Sequence, residues 1–423
     1  MSLFSLALRN LFHRPWTTAL SLILAALGAG LISLILLLSW QLEQQFDRNL
    51  AGIDLVIGAK GSPLQLMMSS MYHISSPTGN VPLESVRPFL NPEHPYIEIA
   101  VPLSLGDSYR GRRIVGTRPQ FLAVYGAELA TGEMWSAPMD VVAGATAARE
   151  LGLKVGDTFR SSHGLIEDDD LTHRDAPAFT VTGILDQTGT VADLILLTPT
   201  ESLWAVHDTH AHEEEHDPGE GEHHHEAEGP EYNVNQPLTA YADESITSVM
   251  VKFKGTSVVG LNMQRSINEN TEMQAVTPSV QLTELYSTVG QGEEVLRQLG
   301  YVVVVVSLLS IFIGLYSSLD RRRGELALLR TVGAGPGKLF TLLLLEGTMT
   351  AVAGALLGLL VSHFGLYLVA NYFSREYRYD FQSFVFLPEE GYLLLGAVIV
   401  GVLAAAVPAA RAARTDVHRT LRG

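Results

Sequence analysis

The sequence predicts a membrane protein with an all-α transmembrane region of four helices and a large α+β domain between helices 1 and 2. Two observations lead to this fold class. Four apolar runs are each long enough, at about 20 residues, to cross a bilayer. One long stretch between the first two runs, residues 41–295, contains no such run and is predicted to lie outside the membrane.

Each element of this plan follows from a local pattern. Residues 1–16 are predicted to form an amphipathic helix on the cytoplasmic membrane surface, because apolar residues recur at helical spacing up to Pro15. The run at 17–40 is longer than a signal peptide needs, so it is predicted to be a retained first transmembrane helix. The later segments are predicted as transmembrane helices at 296–318, 339–370 and 391–410, a cytoplasmic loop at 319–338, an outer loop at 371–390 and a cytoplasmic tail at 411–423.

The stretch 41–295 alternates strand-like and helix-like segments, which predicts an α+β domain. Its two ends, Gln41–Leu50 and Gln281–Gln298, are helical in pattern and are predicted to be stalks that continue the first two spans. Inside the domain, helices are predicted at Pro63–Tyr72, Pro82–Leu90, Ala145–Leu151, Pro199–Val206 and Thr256–Asn268, and a His-rich loop at 207–228.

Basic residues orient the chain. They cluster before the first span, between the second and third, and after the fourth, so the positive-inside rule places these regions and both termini in the cytoplasm. The large domain then faces the periplasm and carries most of the acidic excess. The net charge of −17 argues against binding of nucleic acid. The basic residues are Arg9, Arg14, Arg321, Arg322, Arg323, Arg330, Lys338, Arg411, Arg414, Arg419 and Arg422.

No catalytic site is predicted. The chain has no cysteine, which excludes disulfides and thiolate chemistry. The segment Gly333–Lys338 is glycine-rich, but Val332 stands where a P-loop needs its first glycine and Leu339 where it needs a hydroxyl. The chain is therefore predicted not to be an enzyme and to contain no cofactor of its own, and ATP would be bound by a partner subunit.

Seven histidines lie among carboxylates in the loop 207–228. Imidazole and carboxylate groups suit zinc, and a His-rich tract is a compositional sign of metal binding. Irregular spacing predicts loose binding by exchanging ligand sets, and the alternative is a solvated acidic loop that binds no metal. The predicted metal ligands are His207, His210, His212, His216, His223, His224 and His225.

Two ionisable residues interrupt the third apolar run. Ionisable groups within a span are functional candidates by default. Structural roles are favoured here for both Glu346 and His363, and Glu346 is predicted to pair with a basic residue of the loop 319–338.

Four segments carry a resemblance to a family. They are Ala7–Leu11 with Arg14-Pro15, Arg322–Ala334 through Gly347, Pro408–Asp416, and Val142–Thr158 in the large domain. In these segments the chain resembles the FtsX/MacB-type permeases of bacterial ABC systems, here without a fused ATPase. The segment Ile57–Gln65 together with the His-rich loop is similar to permeases of zinc-responsive ABC clusters.

The resemblance implies a permease subunit in the bacterial inner membrane that works as a homodimer or pseudo-dimer with a separate ATPase subunit. It implies mechanotransmission, in which ATP-driven closure moves the periplasmic domain through the stalks. The zinc-cluster likeness implies metal handling and a periplasmic metal-binding or substrate protein as a partner. Two alternatives stay open: an FtsX-like regulator of a periplasmic partner such as a wall hydrolase, and a lipoprotein-releasing or peptide-exporting permease.

The loop 319–338 is predicted to hold a short helix that couples the permease to the ATPase. The turn-spaced residues Leu326, Leu329 and Val332 would form its apolar docking face, and the basic residues would meet lipid headgroups or acidic groups of the ATPase. The alternative is a turn that only orients the chain. The predicted coupling residues are Arg322, Arg323, Glu325, Leu326, Leu329, Arg330 and Gly333.

Overall fold

The computed structural model describes residues 3–13, 15–163, 177–214, 232–255, 258–376 and 384–414. It divides into two compact units. One contains Met1–Glu43 with Ser287–Gly423, and the other contains Gln44–Tyr286. We call them the membrane unit and the outer unit, and both boundaries between them fall inside long helices.

The bounds of the regular elements are as follows. The helices are α1 (Leu3–Phe12), α2 (Pro15–Leu50), α3 (Pro63–Ser70), α4 (Leu83–Val86), α5 (Gln120–Tyr125), α6 (Ala145–Leu151), α7 (Thr200–Glu214), α8 (Val258–Asn270), α9 (Pro278–Arg321), α10 (Arg323–Thr331), α11 (Pro336–Glu376) and α12 (Pro388–Ala413). The strands are β1 (Leu55–Ala59), β2 (Val81–Pro82), β3 (Ile97–Tyr109), β4 (Arg112–Thr117), β5 (Leu129–Gly132), β6 (Asp140–Ala143), β7 (Thr158–Phe159), β8 (Ser162–His163), β9 (Phe179–Leu185), β10 (Leu196–Pro199), β11 (Ser245–Ile246), β12 (Ser248–Phe253) and β13 (Met273–Val276).

Four of the described helices are long and apolar enough to cross a membrane: α2, α9, α11 and α12. This confirms the predicted set of four spans. Both α2 and α9 are longer than a bilayer requires, at 36 and 44 residues. Each helix continues without a break through the segment predicted as a stalk.

Two glycines of α11 allow it to approach α2 closely in the membrane unit. A Cβ at Gly354 of α11 would lie 2.4 Å from the Ala25 Cβ of α2, and one at Gly358 would lie 2.5 Å from the Ala26 carbonyl oxygen. A side chain at either position would force the two helices apart. Both glycines therefore allow α11 and α2 to pack closely.

The outer unit is α+β, as predicted. Its main sheet has the strand order β13-β1-β12-β3-β4-β10-β6-β9-β5, with β7 and β8 attached to β9 and β3, and β2 pairs separately with β11. Strand β3 joins the two halves of this sheet, because its first part pairs with β12 and its second part pairs with β4. The burial of β9 alternates along its length, as expected for a strand with one face on the core.

Two local predictions for the outer unit are corrected. The predicted helix Pro82–Leu90 is only the four residues of α4, since Pro82 lies in β2 and pairs with Ser245. The predicted loop 207–228 begins as helix, because α7 continues to Glu214. This continuation is physically reasonable, since Ala211, Glu213 and Glu214 favour helix and no proline occurs before Pro218.

Candidate coupling site

The short helix α10 lies between the second and third spans of the membrane unit. Its first turn carries Glu325 and its last turn carries Arg330, so both charges suit the helix dipole. The helix ends at Thr331, and two residues later Gly333 has a φ of +100° and donates its N–H to the Arg330 carbonyl at 3.1 Å. Glycine adopts this conformation without the steric strain that a side chain would add.

One face of α10 is buried in the helical bundle. Leu326 is 2% exposed and Ala327 is fully buried. Leu329 is half-buried against the same cluster. The apolar packing fixes α10 on three of the transmembrane helices, since the other members of the cluster are Leu319 of α9, Leu339 and Leu343 of α11, and Ala409 and Ala412 of α12.

The exposed face of α10 differs from the predicted one. Leu328 is 62% exposed and Val332 is 83% exposed, and the neighbouring Glu325 side chain is also exposed. Residues 325, 328 and 332 share one face of a helix, whereas Leu326 lies about 200° away from Leu328. The predicted docking row of Leu326, Leu329 and Val332 is therefore wrong for Leu326, because this side chain is buried inside the permease and is not on the exposed face.

Arg322 precedes α10 and joins three other elements. Its Nη2 donates to Asn10 Oδ1 of α1 at 2.7 Å, and its Nε donates to Glu325 Oε2 of α10 at 2.9 Å. Its Nη1 lies 3.5 Å from Glu346 Oε1 of α11. Asn10 in turn donates its amide to Glu346. We call Arg322, Asn10, Glu325 and Glu346 the Arg322 hub.

The Arg322 hub contains a carboxylate that is buried away from solvent. Glu346 is 4% exposed, and a buried carboxylate is strongly unfavourable unless a cation and hydrogen bonds compensate it. Arg322 supplies the cation, which confirms the prediction that Glu346 pairs with a basic residue of the loop. The role of Asn10 was missed, and its only sequence signal is a polar residue in the otherwise apolar row of α1.

The other predicted coupling residues are placed as follows. Arg323 begins α10, and its side chain lies outside the described part of the chain. Arg330 is half-buried. Arg322 and Glu325 form a salt bridge with each other. Gly333 contributes the left-handed backbone conformation that follows α10.

The structure places one of the seven predicted metal ligands in full. The His207 Nε2 atom lies 3.7 Å from Asp107 Oδ1, and Asp107 is fully buried while the His207 side chain is half-exposed. His210 and His212 belong to α7, but their side chains lie outside the described part, as do His216, His223, His224 and His225 entirely. Within the described ranges, no group of three or more histidines and carboxylates could hold a metal ion.

Asp107 belongs to a buried polar cluster of the outer unit. It accepts a hydrogen bond from Ser161 Oγ at 2.7 Å. Burial lowers the pKa of Arg113, and the nearby charge of Asp107 opposes that shift. Burial, helped by Arg113, lowers the pKa of His73 to about 3, so this imidazole stays neutral. The carboxylate beside His207 therefore already faces a buried cation.

Two family descriptions match the chain. The family described as "MacB-like periplasmic core domain" matches residues 18–257. The family described as "FtsX-like permease C-terminal" matches residues 299–417. The second match contains α10 and Glu346, and the first contains Asp107 and His207.

Two solved structures of isolated domains are similar to this chain. One is the periplasmic region of MacB from Actinobacillus actinomycetemcomitans, with 13% identity, a TM-score of 0.32, and coverage of 56% of this chain and 95% of that one. Another is the extracellular domain of the noncanonic ABC-type transporter YknZ from Gram-positive bacteria, with 11% identity, a TM-score of 0.28, and coverage of 53% and 99%. No curated protein matches the chain.

Proposed function

We propose that this chain, which belongs to the ABC permease family with a MacB-like periplasmic core domain and an FtsX-like C-terminal region, couples a separate ATPase to its outer domain. Permeases of this family are membrane subunits and are not themselves enzymes. In this proposal the ATPase binds at the exposed face of α10, formed by Glu325, Leu328 and Val332. The distribution of basic residues supports a cytoplasmic placement of α10 and of both termini.

The exposed face of α10 is the observation that carries the proposal. Two large apolar side chains next to charged residues match the composition of a protein interface, in which an apolar centre is surrounded by a polar rim. The opposite face and the Arg322 hub attach α10 to the rest of the bundle. A force applied at Leu328 would therefore be passed on to the transmembrane helices.

The long helices supply the route for mechanotransmission. Residues of α2 belong to both compact units, and so do residues of α9. The last residue of α9 is Arg321, directly before Arg322. A displacement of α10 therefore acts on the end of a helix that is covalently continuous into the outer unit. In a homodimer or pseudo-dimer, each subunit would contribute one such continuous α9 helix.

Co-purification tests the proposed role. We expect the full chain in lipid nanodiscs to retain a separate ABC ATPase subunit of the same organism and to change that subunit's ATP hydrolysis rate by severalfold. The control is the ATPase with empty nanodiscs. A permease that neither retains the ATPase nor alters its rate would contradict the proposal.

The His-rich tract supports a second proposal, that the outer domain handles zinc. His207 lies beside a buried carboxylate, so the first histidine of the tract already has a potential ligand partner. In this proposal Asp107 and His207, which lies midway along α7, hold the metal, and the following histidines exchange on and off it. Zinc would be cargo or signal rather than a resident cofactor.

Zinc titration of the full chain tests this second proposal. We expect deletion of residues 207–228 to remove most zinc binding, measured by calorimetry in detergent, and to impair growth under zinc limitation. The matched control replaces Glu213 and Glu214 with glutamine, which removes charge but retains the imidazoles. Unchanged zinc binding after the deletion would instead favour a regulator of a wall hydrolase or a lipoprotein-releasing permease.

A further inference from the structure

Helix α9 contains two glycines that close packing does not require. A Cβ at Gly290 or at Gly292 would meet no atom of the described residues within 4 Å. At Gly300 of the same helix, by contrast, a Cβ would lie 2.7 Å from Ile32 Cγ1 of α2. Gly300 therefore allows α9 to pack on α2, whereas a larger residue would fit at Gly290 and at Gly292.

Both glycines weaken the helix at this point. A glycine in a helix interior makes local opening of the helix about fivefold easier than an alanine does, because the glycine backbone gains more freedom. Gly290 and Gly292 lie well inside the helix Pro278–Arg321, so neither of them caps one of its ends. Because they fall within a single turn, the two together make opening about twentyfold easier than two alanines would.

The glycines separate two segments of α9 that are each stabilised. Before them, Tyr286 packs against the core of the outer unit, and its ring centroid lies 6.1 Å from that of Phe46. After them, Arg297 forms salt bridges with both Glu293 and Glu294 along the helix surface. The boundary between the two compact units falls directly after Tyr286. The weak point of α9 therefore lies next to this boundary.

The other helix that crosses the boundary between the units has no such weak point. From Leu31 to Leu50, α2 contains neither glycine nor proline. Its last turn is attached to the outer unit, because Asn49 is 3% exposed and its Oδ1 accepts a hydrogen bond from the Val191 N–H at 2.8 Å. The two helices therefore differ in stiffness, although both are continuous.

We infer that Gly290–Gly292 is a hinge at which α9 bends, while α2 remains a rigid connection to the outer unit. Hinges absorb changes of backbone angle at a few positions, and small residues are common there. A bending force on the membrane-spanning part of α9 is absorbed at the glycines, whereas the same force on α2 reaches its last turn. The hinge is a property of the permease alone, so it does not rest on the proposed coupling to an ATPase.

The lack of cysteine allows the hinge to be measured with spin labels. Val280 and Val302 are exposed and lie on either side of the glycines, so Val280→Cys with Val302→Cys places one label on each arm. The 22 residues between these sites span about 33 Å in a straight helix. Labelled chain is diluted with unlabelled chain in nanodiscs, so that only distances within one chain are measured. We expect a broad distribution, with about a third or more of the population outside the narrow range of a straight helix.

Alanine at both glycines tests the cause of the bending. Gly290→Ala with Gly292→Ala fits the available space, so it should leave the fold intact and narrow the distribution to one component at about 33 Å. Hydrogen exchange of the amides that follow the glycines, in residues 291–296, should slow by about twentyfold. The matched control is Gly314→Ala in the same helix, where a new Cβ would lie 3.9 Å from Ser21 Oγ, and it should change neither measurement.

Two results would overturn the inference. One is a single narrow distribution in the labelled chain that keeps both glycines. The other is a broad distribution that the double alanine variant leaves unchanged, because the bending would then arise elsewhere in α9. Gln291→Gly places a third glycine between the two, and we expect it to act in the opposite direction to alanine, with a still broader distribution and faster amide exchange.

Discussion

Replacing Arg322 with alanine is expected to lower the free energy of unfolding of the permease by about 3 kcal/mol and to abolish most of the change in ATPase rate. The reason is the buried carboxylate of Glu346, which would lose the cation that compensates its charge. Thermal unfolding in detergent measures the first effect. ATP hydrolysis by the reconstituted complex measures the second.

The neighbouring arginine supplies a matched control for this prediction. Arg321→Ala removes the same charge one residue earlier, from an exposed side chain that bonds only to Ser317 among the contacts described. It should change stability by less than about 0.5 kcal/mol. Glu346→Gln in the Arg322→Ala background should recover part of the lost stability, because the unpaired charge is then gone. Equal effects of Arg321→Ala and Arg322→Ala would show that the hub has no special role.

The double variant Leu328→Asp with Val332→Asp is expected to weaken binding of the ATPase by at least about thirtyfold, which corresponds to about 2 kcal/mol. Both side chains are exposed, and carboxylates there would have to be desolvated in the interface. The stability of the permease itself should hardly change. Binding is measured by surface-immobilised nanodiscs titrated with the ATPase.

Two further variants make this second test specific to the exposed face. Leu326→Asp places the same carboxylate on the buried face of α10, so it should destabilise the permease instead of acting only on binding. Val155→Asp, at an exposed apolar position of the outer unit, should affect neither property. If the double variant binds the ATPase as tightly as the unchanged chain, α10 is not the docking element.

Periodicity and composition were sufficient for the larger features of this protein. Long apolar runs predicted the four spans, and strand-like alternation predicted the α+β domain, because both signals depend on many residues at once. They were not sufficient to orient α10. Its apolar residues Leu326, Leu328, Leu329 and Val332 surround the helix, so the inward face is decided by packing against Leu319, Leu339, Leu343, Ala409 and Ala412.

The polar clusters show a second limit. Glu346 and His363 were visible as ionisable residues in an apolar run, and structural roles were expected for both. The partner of Glu346 was harder to find, since Asn10 lies more than 300 residues away along the chain. Nothing in the local sequence of α1 identifies Asn10 as that partner. Only the assembled bundle brings it to the third span.

The hydrogen bond between Asn10 and Arg322 also has a consequence for biosynthesis. It joins residues 312 positions apart, and the contact of Asn10 with Glu346 spans 336. A ribosome must therefore complete the first span, the whole outer unit and the second span before α1 can reach Arg322, and it must begin the third span before α1 can reach Glu346. A partly synthesised chain exposes α10 before the hub can anchor it. If the ATPase binds α10 only after the Arg322 hub has formed, it would bind only fully synthesised permeases. Few ATPase subunits would then be bound to incomplete chains.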